Sequence, residues 1–170
     1  MRQELQEYLY KKFPEIYPKK TVGNNPFDLF GFECDDGWFR LILWLSRYIQ
    51  QYTTQQNEMA SKYPETYQPV KQLVAVQVKE KFGTLRFYTE GGNDHLHKIV
   101  EYTEFLSGYF CEMTGKIDNI GYNRKGWIKT RNVEHANVTD LKGFYFVDDE
   151  ELRKILQNLK ESENQLKLNL

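Results

Sequence analysis

A chain of 170 residues with 40% apolar and 15% aromatic side chains can build one domain with a sizeable core, and its formal net charge of −1 excludes steering to nucleic acid or anionic membrane by overall charge. Two cysteines, Cys34 and Cys111, exclude a disulfide scaffold for this length, so a reducing, cytoplasmic setting is expected. The polar opening Met1-Arg2-Gln3-Glu4-Leu5-Gln6-Glu7 does not read as a signal peptide, and the most apolar run, Trp38 to Leu45, is too short to span a bilayer.

Leu5, Tyr8, Leu9 and Phe13 recur at helical spacing over 2–13, and Pro14 stops that helix. Pro18, Lys19-Lys20, Gly23 and Asn24-Asn25-Pro26 mark a loop. Asp35 or Asp36 should cap a long helix over 36–60 whose apolar stripe is Trp38, Leu41, Ile42, Leu45, Tyr48, Ile49 and Tyr52. Its polar second half, Gln50 to Lys62, should run into solvent. Residues 73–79 alternate with period two, Gly83 permits a turn, and 84–89 complete a β-hairpin. Asn93 or Asp94 should start a helix reaching about Gly108. Phe144 to Val147 reads as a strand that could join the hairpin. Asp148 and Glu151 form a capping box for a last helix over 149–161, with a tail frayed from 162. The whole is expected to be a single α+β domain over 1–170: a small antiparallel sheet against a long helix and two further helices.

Three stretches carry a family resemblance. They are Asp36-Gly37-Trp38-Phe39, the run Gln77 to Tyr88, and a segment reading Cys111-Glu112-Met113-Thr114-Gly115, Gly126-Trp127-Ile128-Lys129-Thr130 and Asn132-Val133-Glu134-His135. Together they resemble a small family of phage and prophage proteins with no settled activity. The resemblance implies a mobile-element accessory protein working in the cytoplasm of a bacterial host. Relatives carry a zinc-knuckle-like Cys-x-x-Cys-Gly, Gly-Trp and Cys-x-x-His pattern. Here Thr114 stands at the second ligand position and Asn132 at the third, leaving Cys111 and His135 as vestiges. A structural zinc takes four tetrahedral nitrogen or sulfur donors, so 111–136 is expected to be a degenerate zinc-ribbon-like region without metal.

Candidate function rests on strand parity. If Val74, Val76 and Val78 face the core with Leu85 and Phe87, then Gln77, Lys79, Arg86 and Tyr88 share the other face, with Lys81 at the turn. An Arg fork, two ammonium groups, an amide and a ring can hold a phosphate or an acidic surface; the alternative is a solvated sheet face with ordinary cross-strand pairs. A second cluster, Arg124, Lys125, Lys129 and Arg131 around Trp127, could bind single-stranded nucleic acid by charge and stacking, or Trp127 could plug a small core. His95 and His97 sit two apart and face differently on a helix, and Asp94-His95 lacks an adjacent nucleophile. Cys34, among Glu33, Asp35 and Asp36, reads as structural. No phosphate-binding glycine loop occurs.

These observations point to a non-enzymatic protein, without cofactor or metal, that captures or blocks a host component. Its partner would be an anionic ligand such as a signalling nucleotide, or a host defence protein, at Gln77, Lys79, Lys81, Arg86 and Tyr88. A nucleic-acid module built on Arg124, Trp127, Lys129 and Arg131 is the alternative. A metal-dependent hydrolase using Glu33, Asp35, Asp36 or His135 ranks third. No membrane partner is expected.

Overall fold

Helix α1 (Gln3–Lys12) buries Leu9 and, just past its end, Phe13. The computed structural model describes residues 1–18, 26–123, 126–136 and 143–168, apart from the side chains of 162, 163 and 165–168. Most of the loop expected after Pro18, together with Arg124 and Lys125, lies outside the described residues. A short helix α2 (Pro26–Phe30) and a two-residue strand β1 (Phe32–Glu33) follow. One 3-10 turn over 36–38 then leads into α3 (Phe39–Lys62).

The α3 stripe buries Trp38, Leu41, Ile42, Leu45 and Ile49 as the periodicity predicts. Tyr52 is half-buried against the same core, while Tyr48, at the edge of the stripe, is 40% exposed. Both meet His95, with the Tyr52 ring at 4.6 Å and the Tyr48 hydroxyl hydrogen-bonded to the His95 ring at 2.7 Å. Neither Asp35 nor Asp36 caps α3: the turn and the helix have no side-chain cap. Asp36 is held by Arg2 and Asp35 by Arg131. The far half of α3 is not bare, because Asn57 bonds both backbone groups of Val70 and ties the returning chain to it.

Strands β2 (Val74–Lys81) and β3 (Thr84–Glu90) form the expected hairpin, and β1 adds to β2 in parallel, giving the order β1-β2-β3 in a mixed sheet. A bulge at Val76 shifts the parity of β2, since pairing passes from Ala75↔Thr89 to Gln77↔Tyr88. Ala75 and Val78 therefore point into the core at 1% and 0% exposure, while Val74 and Val76 are half-buried. Beyond the bulge, Val78↔Phe87 is the inner pair. Gln77↔Tyr88 and Lys79↔Arg86 lie on the outer face, as does Lys81 opposite Thr84.

Helix α4 (Asp94–Ser107), capped by Asn93, covers the open edge of β3. Ser107 Oγ accepts from the Leu85 N–H at 2.8 Å and Glu104 Oε1 from the Phe87 N–H at 2.6 Å. Those donors would otherwise be an unpaired sheet edge. The core between α1, α3 and the sheet is aromatic. Tyr17, Phe27, Phe32 and Phe87 meet ring to ring, with centroids 5.1–6.3 Å apart. The Tyr17 hydroxyl is satisfied by Ser46 at 2.6 Å.

A second, antiparallel sheet has the order β5-β4-β6, from β4 (Ile120–Asn123), β5 (Thr130–Asn132) and β6 (Phe144–Phe146). The segment at 144–147 thus joins this sheet and not the hairpin. Helix α5 (Glu150–Leu168) runs past 162, where fraying was expected, and its cap is Asp149, which accepts from the Leu152 N–H at 2.8 Å. The protein is a mixed α+β fold. Among the described residues, no helix is long and apolar enough to cross a membrane.

Candidate binding cleft

The two sheets meet at the hairpin tip. Phe82 and Gly83, with φ of +54° and +80°, make the two-residue turn. Gly83 presses against β5: Thr130 Oγ1 donates to the Gly83 carbonyl at 2.6 Å, and a Cβ on Gly83 would lie 2.9 Å from Ile128 Cγ2. On the facing side, Asn123 Nδ2 donates to the Trp127 carbonyl and Asn123 Oδ1 accepts from the Lys129 N–H, fixing the approach to β5. Trp127 then reaches across, its indole N–H donating to Glu80 Oε2 at 2.6 Å.

Between these segments opens a cleft of about 620 Å³, lined by Glu33, Lys79, Lys81, Phe82, Trp127 and Ile128 among others. A neighbouring hollow of about 530 Å³ shares Glu33, Glu80 and Trp127 and adds Lys129. Both volumes fall within the range of small-molecule sites. The acids in the cleft are engaged. Glu80 accepts from the Gly83 N–H and from Trp127, and Glu33 accepts from Gln77 at 3.2 Å. Lys79 and Lys81 make no ion pair among the described residues; their ammonium groups lie 5.7 and 5.5 Å over the rings of Tyr88 and Phe82. Phe82 and Trp127 are 69% and 71% exposed.

The structure sorts the residues singled out by sequence. Gln77, Lys79, Lys81, Arg86 and Tyr88 do share one face of the hairpin. Of these, only the two lysines line the cleft. Arg86 is turned to its own strand, donating to Thr84 Oγ1 at 2.7 Å and the Leu85 carbonyl at 2.8 Å, with Glu104 at 4.0 Å. Arg131, expected on a basic surface, is 6% exposed and bridges Glu112 at 3.0 Å and Asp35 at 3.1 Å. It is an internal tie between β5, the 111–115 turn and the segment before α3, so it leaves the nucleic-acid patch. Arg124 lies outside the described residues. Trp127 and Lys129 remain: Trp127 joins the hairpin lysines in the cleft, and Lys129 lines the neighbouring hollow. Phe82 is the residue that strand parity overlooks; its signal was a bulky ring beside a turn glycine.

The zinc-knuckle positions do other work. Asn132 Oδ1 accepts from the Glu134 N–H, and its amide donates to the Asp118 carbonyl. Cys111 is fully buried, and Thr114 Oγ1 accepts from the Lys116 N–H at 3.4 Å. Among the described residues, no group of three or more His, Cys, Asp or Glu could hold a metal ion, and this set does not fit tetrahedral zinc. What positions the turn is contact: a Cβ on Gly37 would lie 2.2–2.5 Å from the backbone of Cys111, Glu112 and Gly115. Burial pushes the Cys34 thiol up to about 12, so it stays protonated and inert. Burial also raises the Glu112 carboxyl, against the pull of Arg131. No protein-family model, curated protein or solved structure matches the chain.

Proposed function

We propose that this chain is a non-enzymatic binding protein that captures an anionic, ring-bearing ligand of nucleotide type in the cleft at the hairpin tip. One observation carries the reading: Lys79 and Lys81, paired with no carboxylate among the described residues, face the same cleft as two large exposed rings. The rings offer stacking surfaces and the ammonium groups neutralise phosphate. With the resemblance to phage and prophage proteins, the ligand would be a host molecule withdrawn from use in the bacterial cytoplasm. The exposure of Phe82 and Trp127 also suits a second version, in which the same rings press on a host defence protein, since such rings anchor protein interfaces.

Titration calorimetry of the full chain against a panel of mono-, di- and cyclic nucleotides tests the first version. Lys81→Ala and Trp127→Ala should each weaken binding at least about tenfold. Arg86→Ala, whose guanidinium is engaged within its own strand, should leave affinity unchanged. No nucleotide bound, or equal affinity across all three variants, removes the ligand from this cleft.

A further inference from the structure

Two apolar faces of this chain have no partner among the described residues. The first spans α3 and α4. These helices run antiparallel: the Trp38 indole reaches the Phe110 carbonyl at one end, and Tyr48 and Tyr52 meet His95 at the other. Along their shared outer side Trp44, Tyr102 and Phe105 are 51%, 59% and 59% exposed, and Tyr109 continues the row with its ring 5.3 Å from Phe105. Arg40, Arg47 and Lys98 are exposed around it, without an ion pair among the described residues.

The second face belongs to α5, which is mounted with its basic side inward. The Arg153 guanidinium stacks 3.8 Å over the Phe146 ring, and Lys160 bonds Asp118 at 2.5 Å. Leu152, Ile155, Leu156 and Leu159, spaced as one helical stripe, are left 41–58% exposed. Single exposed hydrophobic residues are ordinary, but two continuous apolar stripes on one small chain are the mark of interfaces.

We infer that the two faces cover each other between two copies of the chain. Helix α5 of each copy lies along the α3–α4 face of the other, so one two-fold axis buries both stripes twice. The dimensions agree: Leu152 to Leu159 extends about 10 Å along α5, and Tyr102 to Tyr109 about the same along the α4 side. So do the charges. Arg153 and Lys160 face their own body and Lys154 pairs with Glu150 at 2.7 Å, which leaves Glu151 on the open flank of the stripe. Arg40 and Arg47 stand beside Trp44 on the receiving face. Composition also fits, since exposed Trp, Tyr, Phe and Arg are what protein interfaces enrich. The inference is independent of the ligand assigned to the cleft.

Sedimentation equilibrium of the full chain from micromolar to hundreds of micromolar tests it. A reversible monomer–dimer equilibrium is expected. Leu159→Lys on one face and Phe105→Glu on the other should each weaken it at least about tenfold. Mixed together, the two variants should associate more tightly than either alone, because the intact α5 of one meets the intact α3–α4 face of the other. A monomer at every concentration overturns the inference. So does a dimer indifferent to Phe105→Glu, which would mean that α5 pairs with itself, and so does a mixture no tighter than its components. Both positions are exposed, and circular dichroism checks that the fold survives; if Phe105→Glu unfolds, Tyr102→Lys on the same face takes its place. Nucleotide binding by the cleft should be the same in both variants, which separates this result from the fate of the ligand reading.

Discussion

Phe82 holds the first of two turn positions at φ +54°, in the left-handed region where a bulky ring is disfavoured. Asparagine is at home in that conformation, and Asn-Gly is the preferred pair for this turn. A sequence shaped by stability alone would place a polar residue here, not a ring 69% exposed. Phe82→Asn should therefore stabilise the protein by about 1 kcal/mol, seen as a rise in melting temperature of about 2–4 °C, while weakening the binding that the cleft supports. A melting temperature that falls would mean that the ring contributes to folding and that its exposure has no functional meaning. The same residue illustrates a limit of sequence. Gly83 marks a turn plainly, but a turn glycine does not say that its neighbour's ring will face Trp127, 45 positions along the chain.

Three segments distant in sequence are joined through the Arg131 guanidinium: β5, the turn after α4 that carries Glu112, and the stretch between β1 and α3 that carries Asp35. Glu112 is 2% exposed and Arg131 6%. Removing the cation leaves a buried carboxylate without its counter-charge, so Arg131→Met should cost about 3 kcal/mol near neutral pH. The pH dependence follows from the direction of the shift. Burial raises the Glu112 carboxyl in the folded state, so its protonated form is the one folding favours. Its contribution is fully present below the ordinary glutamate range, near 4.3, and is lost as pH rises through the raised value. Without Arg131 the value rises further, so the gap between variant and wild type should narrow at pH 5 relative to pH 7.5. Urea unfolding at both pH values measures it, and an equal gap at the two would show that Glu112 is not the group responsible. At this scale the sequence was half legible. Cations around Trp127 were visible, but which of them is internal depends on a carboxylate 19 residues away in the chain.

Across the whole molecule, the two sheets share no strand, yet they are linked at the hairpin tip by Thr130 to Gly83 and by Trp127 to Glu80. They are linked again through Arg131, and by Gly37 seated against the 111–115 turn. Such mutual contact predicts one cooperative unit. Chemical unfolding followed by tryptophan fluorescence and by far-ultraviolet circular dichroism should give coincident transitions. Separate midpoints would show that 111–168 folds on its own and that the cleft lies between independently moving parts.

By itself the sequence determined the α+β class, the long amphipathic helix and the β-hairpin with its polar outer face. These follow from period, propensity and turn chemistry, which act between residues close in the chain. It also marked the two basic-aromatic segments. Only the tertiary structure decided that a bulge at Val76 sends Ala75 inward, that 144–146 pairs with β4, and that Arg86 and Arg131 are engaged internally. It alone brings Lys79 and Lys81 to the same cleft as Trp127. Each of these outcomes depends on the register between distant strands or on which charges meet when the chain closes, and local pattern carries neither.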